Sequence, residues 1–152
     1  MRVNIHASCV RIRGKGVLLL GASGAGKSDL ALELIDGGAK LVADDRCDLF
    51  ARAGKLHAAA PASIAGLIEL RGIGIVAMPH AGSVAVAMAV RLGQSRKRLP
   101  KHAFYALPAP LKGVAPVPLI VVNGADARAG ARIRAALAAF SANAFRDTFN
   151  LE

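Results

Sequence analysis

Lys27 and Ser28 close the segment Gly21-Ala22-Ser23-Gly24-Ala25-Gly26-Lys27-Ser28, which lies between an apolar run, Val17 to Leu20, and a helical pattern. Glycines at these positions let backbone N–H groups converge on phosphate oxygens without interference from a Cβ. A lysine at the penultimate place reaches terminal phosphates, and the serine hydroxyl after it meets magnesium. The helix that follows points its positive end at the same anion. Gly-rich turns ending in lysine also occur in ordinary loops; the strand before and the helix after distinguish this one and imply a nucleoside triphosphate site.

Further candidates for chemistry follow along the chain. Asp44 and Asp45 come directly after a second apolar run, at the place where an open α/β sheet presents ligands. Neighbouring residues of an extended chain point to opposite sides, so one carboxylate is free for a metal and the other for an acceptor. A solvated acid pair capped by Arg46 is the plainer alternative. Glu69 and Arg71 interrupt the apolar stretch Leu67-Ile68-Glu69-Leu70-Arg71-Gly72-Ile73-Gly74-Ile75. Buried charges need a reason. Metal contact for Glu69 with anion contact for Arg71 supplies one, and a mutual ion pair supplies another. His6, taken alone, reads equally as a surface or core histidine.

These residues need elements to hold them. Val10 and Ile12 alternate with Arg11 and Arg13, a turn is expected at Gly14-Lys15-Gly16, and Val17 to Leu20 returns as the strand feeding the glycine loop. Leu30, Ala31, Leu34 and Ile35 share one face of a helix over 27–36, which Gly37-Gly38 stops. Strands are expected over 40–43, 48–50 and 119–122, with a turn near Gly54, and Val84 to Val90 reads as a half-buried strand in preference to a short core helix, which the same seven-residue run also fits. Residues 91–103, with Arg91, Arg96, Lys97, Arg98 and Lys101, read as a basic mobile surface loop. A packing helix begins near Asp126, with Ile133, Ala136, Leu137 and Phe140 on one face. The expectation is a single α/β domain over 1–152: a mixed β-sheet with a phosphate loop and flanking helices.

The 152 residues suffice for one core, although much of the 54% hydrophobic content is alanine, which buries little area per residue. Association between subunits would compensate for a thin core. A formal charge of +10 suits nucleotides, phosphoproteins or acidic partners. Nucleic acid is disfavoured, because aromatic residues are 4% of the chain and no stacking platform is visible. Cys9 and Cys47 lack metal-ligand spacing and read as reduced thiols, which points to the cytoplasm. No secretory segment or membrane-spanning stretch is evident.

Read in order, the motifs resemble the catalytic domain of bacterial HPr kinase/phosphorylase, whose substrate is a serine of the phosphocarrier HPr. The likeness runs from His6 through Cys9-Val10-Arg11-Ile12-Arg13-Gly14 and the loop 21–28 to Leu41-Val42-Ala43-Asp44-Asp45-Arg46 and Ile68-Glu69-Leu70-Arg71-Gly72-Ile73-Gly74-Ile75. It is good over 6–76, loose to about 122 and uninformative beyond.

The resemblance implies a fold like that of phosphoenolpyruvate carboxykinase. It implies ATP held by Lys27 and the loop residues Gly21, Ala22, Ser23, Gly24, Ala25 and Gly26, with Mg²⁺ served by Ser28 and Glu69 and Asp44 close by. Asp45 would take the seryl proton or, in phosphorolysis, activate phosphate, with His6 in support. Glu69, Leu70, Arg71, Gly72, Ile73 and Gly74 would line the docking site for the protein substrate. Arg98 would be the family's mobile-loop arginine, with Arg91 as the competing choice. A cytoplasmic homo-oligomer, trimeric or hexameric, working in the phosphotransferase system is also implied.

Three departures stand out. The residues after Ile75 depart from the family's usual asparagine- and phenylalanine-containing continuation. The chain begins almost at the histidine, as in a short form without the family's N-terminal domain. Ala115-Pro116-Val117-Pro118-Leu119 lacks the Pro-Gly-Arg step associated with dephosphorylation, which puts phosphorylase activity behind kinase activity. The readings left standing beside the HPr kinase are a small-molecule kinase or nucleotide hydrolase with the same loop, and a nucleotide-binding regulatory module that transfers nothing.

Overall fold

A computed structural model describes residues 1–94 and 97–147. Two long strands organise it, β1 (Val3–Ile12) and β8 (Ser83–Leu92). Between them come β2 (Lys15–Leu20), α1 (Lys27–Asp36), β3 (Lys40–Ala43), β4 (Arg46–Arg52), β5 (Lys55–Ala59), β6 (Leu67–Leu70) and β7 (Gly74–Ala77). After β8 follow β9 (Ala103–Phe104), β10 (Pro118–Val122) and α2 (Ala129–Ser141).

Each long strand serves two layers. Residues 3–6 of β1 pair with β4, and residues 7–12 pair with β2 and β3. Residues 83–85 of β8 pair with β5, and residues 86–91 run parallel to β2. The path β2-β1-β4-β5-β8 therefore closes on itself through β2 and β8, and β10 and β9 extend it outward from β8. Closure needs close approach at Gly16, where a Cβ would stand 2.7 Å from Val84 Cγ1 and 2.8 Å from the Ala85 carbonyl.

Two cores follow from this arrangement. Leu18 and Leu20 join Ala7, Cys9, Cys47, Leu49, Leu56 and Val86 inside the ring. Val17 and Leu19, facing the other way, pack with Leu30, Leu34, Leu41, Met88, Ile133 and Leu137 under the helices. A strand buried on both faces explains why β2 reads as an unbroken apolar run. Both helices contribute to the second core, so they lie on one side of the sheet. Cys9 and Cys47 are free and fully buried, and the Cys47 sulfur together with that burial pushes the Cys9 thiol well above its ordinary pKa.

The expected elements at 27–36 and 40–43 match α1 and β3 in both bounds. Other expectations shift. The hairpin turn falls on Arg13 (φ 49°) and Gly14 (φ 80°), two left-handed residues as a type I′ turn requires, and Lys15 and Gly16 already belong to β2. Arg91 lies in β8, paired with Leu20 and Val121, and the basic loop spans 93–102. Arg96 of that loop lies outside the described residues. No helix among the described residues is long and apolar enough to cross a membrane.

Asp126 fixes the start of α2. Its Oδ1 accepts from the Arg128 backbone N–H at 2.8 Å and Nε at 3.0 Å, and Oδ2 accepts from Arg132 Nη1 at 3.2 Å. These hydrogen bonds, led by the Arg128 side chain, hold the carboxyl far below the usual range. A depressed folded pKa means that the stabilisation is present above the unfolded pKa and fades as pH falls through the folded one. Asp126→Ala is expected to lower the midpoint of thermal unfolding by a few degrees at pH 7 and by less near pH 2, as circular dichroism would report.

Candidate active site

Strand β1 runs between β2 and β3 and antiparallel to both, so β2 and β3 are parallel and their carboxyl ends open on one side. That edge is where such sheets present ligands. The loop 21–26 leaves β2 there, and the aspartate pair leaves β3. Gly24 (φ 81°) and Gly26 (φ 98°) take left-handed conformations that a side chain would strain. No side chain caps α1, so the N–H groups of its first turn stay available to an anion. Lys27 is 4% exposed, and its Nζ donates to the carbonyls of Gly21 at 2.8 Å and Ala22 at 3.0 Å. An ammonium has three donors, so one remains for a phosphate.

Asp44 is the hub of the site. Its Oδ1 accepts from Ser28 Oγ at 2.6 Å and Ser8 Oγ at 2.9 Å, and Oδ2 accepts from the Glu69 backbone N–H at 3.0 Å. One buried carboxylate thus ties the α1 serine, β1 and the β6–β7 hairpin together. Ser8 also accepts from the Asp45 N–H at 3.1 Å. Sequence reasoning passed over Ser8; the available signal was its position two residues beyond His6, on the same face of a strand.

Asp45 diverges from Asp44 for a reason other than strand alternation. The strand ends at Ala43, Asp45 adopts φ 66°, and the Arg46 N–H closes the bend on the Asp44 carbonyl at 2.7 Å. The Asp45 side chain is exposed, with its Oδ1 3.8 Å from Nδ1 of His6. Arg46 does not cap the pair; its Nη1 donates to Asn4 Oδ1 at 3.3 Å.

A cleft of about 340 Å³ gathers much of this set. Gly24, Lys27, Ser28 and Asp29 line it together with Asp45, Glu69 and Arg71. Asp29, in the first turn of α1, was not anticipated. The side chains of Glu69 and Arg71 are exposed, so no burial penalty acts on them, and no ion pair joins them among the described residues. They sit on a two-stranded sheet of their own, β6–β7, anchored by buried Ile68 and turned at Gly72 (φ 77°). Leu70 is half-buried, whereas Ile73 is 82% and Ile75 72% exposed at the hairpin end. Neither Arg98, exposed in the basic loop, nor Arg91 lines the cleft.

No group of three or more His, Cys, Asp or Glu side chains is assembled for a metal among the described residues. Magnesium beside phosphates does not need one, because it takes one or two protein ligands and fills the rest from phosphate and water. The donor set fits that mode: the Ser28 hydroxyl is held by Asp44, and Glu69 lines the same cleft. Three lining carboxylates, Asp29, Asp45 and Glu69, also outnumber the two cations, Lys27 and Arg71, so a polyphosphate entering with a divalent cation meets less repulsion than one entering alone.

Ser8→Ala removes a donor to Asp44 and an acceptor for the Asp45 N–H in one step. Its expected cost is about 1–3 kcal/mol of unfolding free energy, measured by urea denaturation.

The architecture and cleft define a mixed α/β domain that presents a glycine-rich loop, a serine and acidic side chains at the carboxyl ends of parallel strands. The family described as HPr Serine kinase C-terminal domain matches residues 1–92, and the chain belongs to that family. HPr kinase/phosphorylase from Lactobacillus acidophilus is 49% identical over 76 residues, 49% of this chain and 24% of the relative. The protein of the same name from Caldanaerobacter subterraneus subsp. tengcongensis is 45% identical over 96 residues, 60% of this chain and 31% of the relative. The alignments thus span a quarter to a third of these curated relatives. Among solved structures, the HPr(Ser) kinase/phosphatase from Coxiella burnetii superposes with a TM-score of 0.77 at 25% identity, covering 93% of this chain and 97% of that one.

Proposed function

We propose that residues 1–152 form one catalytic domain, with a phosphoenolpyruvate carboxykinase-like phosphate loop, that transfers the γ-phosphoryl group of Mg-ATP to a serine of HPr or an HPr-like phosphocarrier. One observation carries the reading: the Asp45 carboxylate lines the same cleft as Lys27 and Ser28, beside His6. In the forward direction the seryl oxygen bonds to the γ-phosphorus, the bond from that phosphorus to the ADP oxygen breaks, and the seryl proton passes to Asp45. His6, whose Nδ1 lies 3.8 Å from Asp45 Oδ1, supports that acid/base centre. Lys27 and the loop N–H groups hold the phosphates, and Asp44 orients the Ser28 hydroxyl.

Magnesium, when bound, neutralises charge on the phosphates, with Ser28 and Glu69 as its protein contacts and Asp44 acting through Ser28. The β6–β7 hairpin supports carrier docking: residues 69–74, with Ile73 exposed, adjoin the cleft, and the +10 charge of the chain favours an acidic partner. Arg98 is assigned to the transferring phosphoryl group on the family resemblance. A cytoplasmic homo-oligomer, trimer or hexamer, completes the reading.

Incubating the protein with labelled ATP and a purified HPr-like carrier, then mapping the modified residue, tests the transfer. A phosphoserine on the carrier is expected. Phosphate released without a carrier would instead favour a hydrolase, and nucleotide binding with no transfer would favour a regulatory module.

A further inference from the structure

We propose that a second cavity, at the opposite end of α1 from the glycine loop, binds an amphipathic anion: a carboxylate or phosphomonoester head on an apolar body. The cavity measures about 610 Å³, within the range of about 300–1,000 Å³ typical of small-molecule sites. Buried Ile12 and Leu137 contribute apolar wall, and Arg13, Lys15 and Arg134 supply its charge. No acidic residue lines it, and none of the three cations belongs to an ion pair among the described residues.

Two of these cations are held in place before any ligand arrives. Lys15 Nζ donates to Ser141 Oγ at 2.8 Å, and Arg134 Nη2 donates to the Leu34 carbonyl at 2.6 Å. An ammonium has three donors and a guanidinium five, so both keep donors for a ligand. Gly37 makes room for this arrangement, since a Cβ there would collide with the Arg134 guanidinium. Glu33 Oε1 and Arg134 Nη1 both border Gly130, and neither Glu33 nor Gly130 lines the cavity; the lining itself carries three cations and no carboxylate, a balance that favours an anion. The apolar wall selects a ligand with a hydrophobic body over bare phosphate. The cavity lies roughly 15 Å, the length of α1, from the glycine loop, so the two sites fill independently.

Calorimetric titration of the full chain with phenyl phosphate and with benzoate, each with and without saturating Mg-ADP, tests the assignment. Binding of at least one probe at a single site, undiminished by Mg-ADP, is expected, and the tighter probe identifies the head group. The double variant Arg13→Ala/Lys15→Ala should weaken binding about tenfold or more while its Mg-ADP affinity and thermal unfolding match the parent. Arg134→Gln provides an independent check should the double variant not fold. Binding of neither probe, loss of binding in Mg-ADP, or full affinity in whichever of these variants folds would overturn the proposal.

Discussion

Asp45→Asn is expected to lower serine transfer by about 10²–10⁴-fold, the usual contribution of a positioned general base. The substitution isolates that role for two structural reasons. The side chain is exposed, so replacing it removes no buried contact. Asparagine tolerates left-handed backbone as aspartate does, so φ 66° is kept without new strain, whereas alanine there would add it. Unfolding free energy should stay within about 0.5 kcal/mol of the parent, and the Michaelis constant for ATP should change little. Steady-state transfer of labelled phosphate to the carrier, with a urea titration alongside, measures both. Carrier phosphorylation at the parental rate would remove the assigned base.

Lys27→Met is the second large effect. The methionine stem fills the nearly buried site of the lysine, so packing is retained while the ammonium that bonds Gly21 and Ala22 is lost. Those carbonyls belong to a half-buried glycine and an exposed alanine, which water reaches. Transfer is expected to fall by about 10²–10³-fold, the cost of removing one electrostatic contact to developing charge, with weaker nucleotide binding. Fluorescence titration with a labelled ATP analogue separates the binding loss from the catalytic loss. Unaltered binding together with unaltered turnover would contradict the placement of the triphosphate in this loop.

Legibility followed the strength of local patterns. The glycine loop, α1 and β3 could be read because an apolar run, two helix-stopping glycines and a heptad-like apolar face coincide within thirty or so residues. The hairpin β6–β7 could not. Its apolar residues suggested burial, and the structure instead leaves Ile73 and Ile75 in solvent and buries mainly Ile68. Strand β5, Leu-His-Ala-Ala in its last four positions, lacks the β-branched side chains that signal a strand and is fixed by pairing with β4 and β8. Ser8 and the left-handed Asp45 escaped for another reason: their meaning depends on contacts 36 and 37 residues apart in the chain, which no local window contains. The resemblance carried the acidic pair further than spacing alone.

The matched span, residues 1–92, contains every strand of the closed ring as well as α1 and the β6–β7 hairpin, whereas β9, β10 and α2 attach from outside. The domain is thereby divided into a ring hub and a jacket that shares both of its cores. Substitutions in the jacket reach the hub by several routes: Ile133 and Leu137 share a core with Leu30, Leu34, Val90 and Leu92, Leu111 and Val117 enter the core of the ring, and Arg134 and Ser141 are bonded to Leu34 and Lys15, so the last third is a brace on the elements that carry the acidic pair.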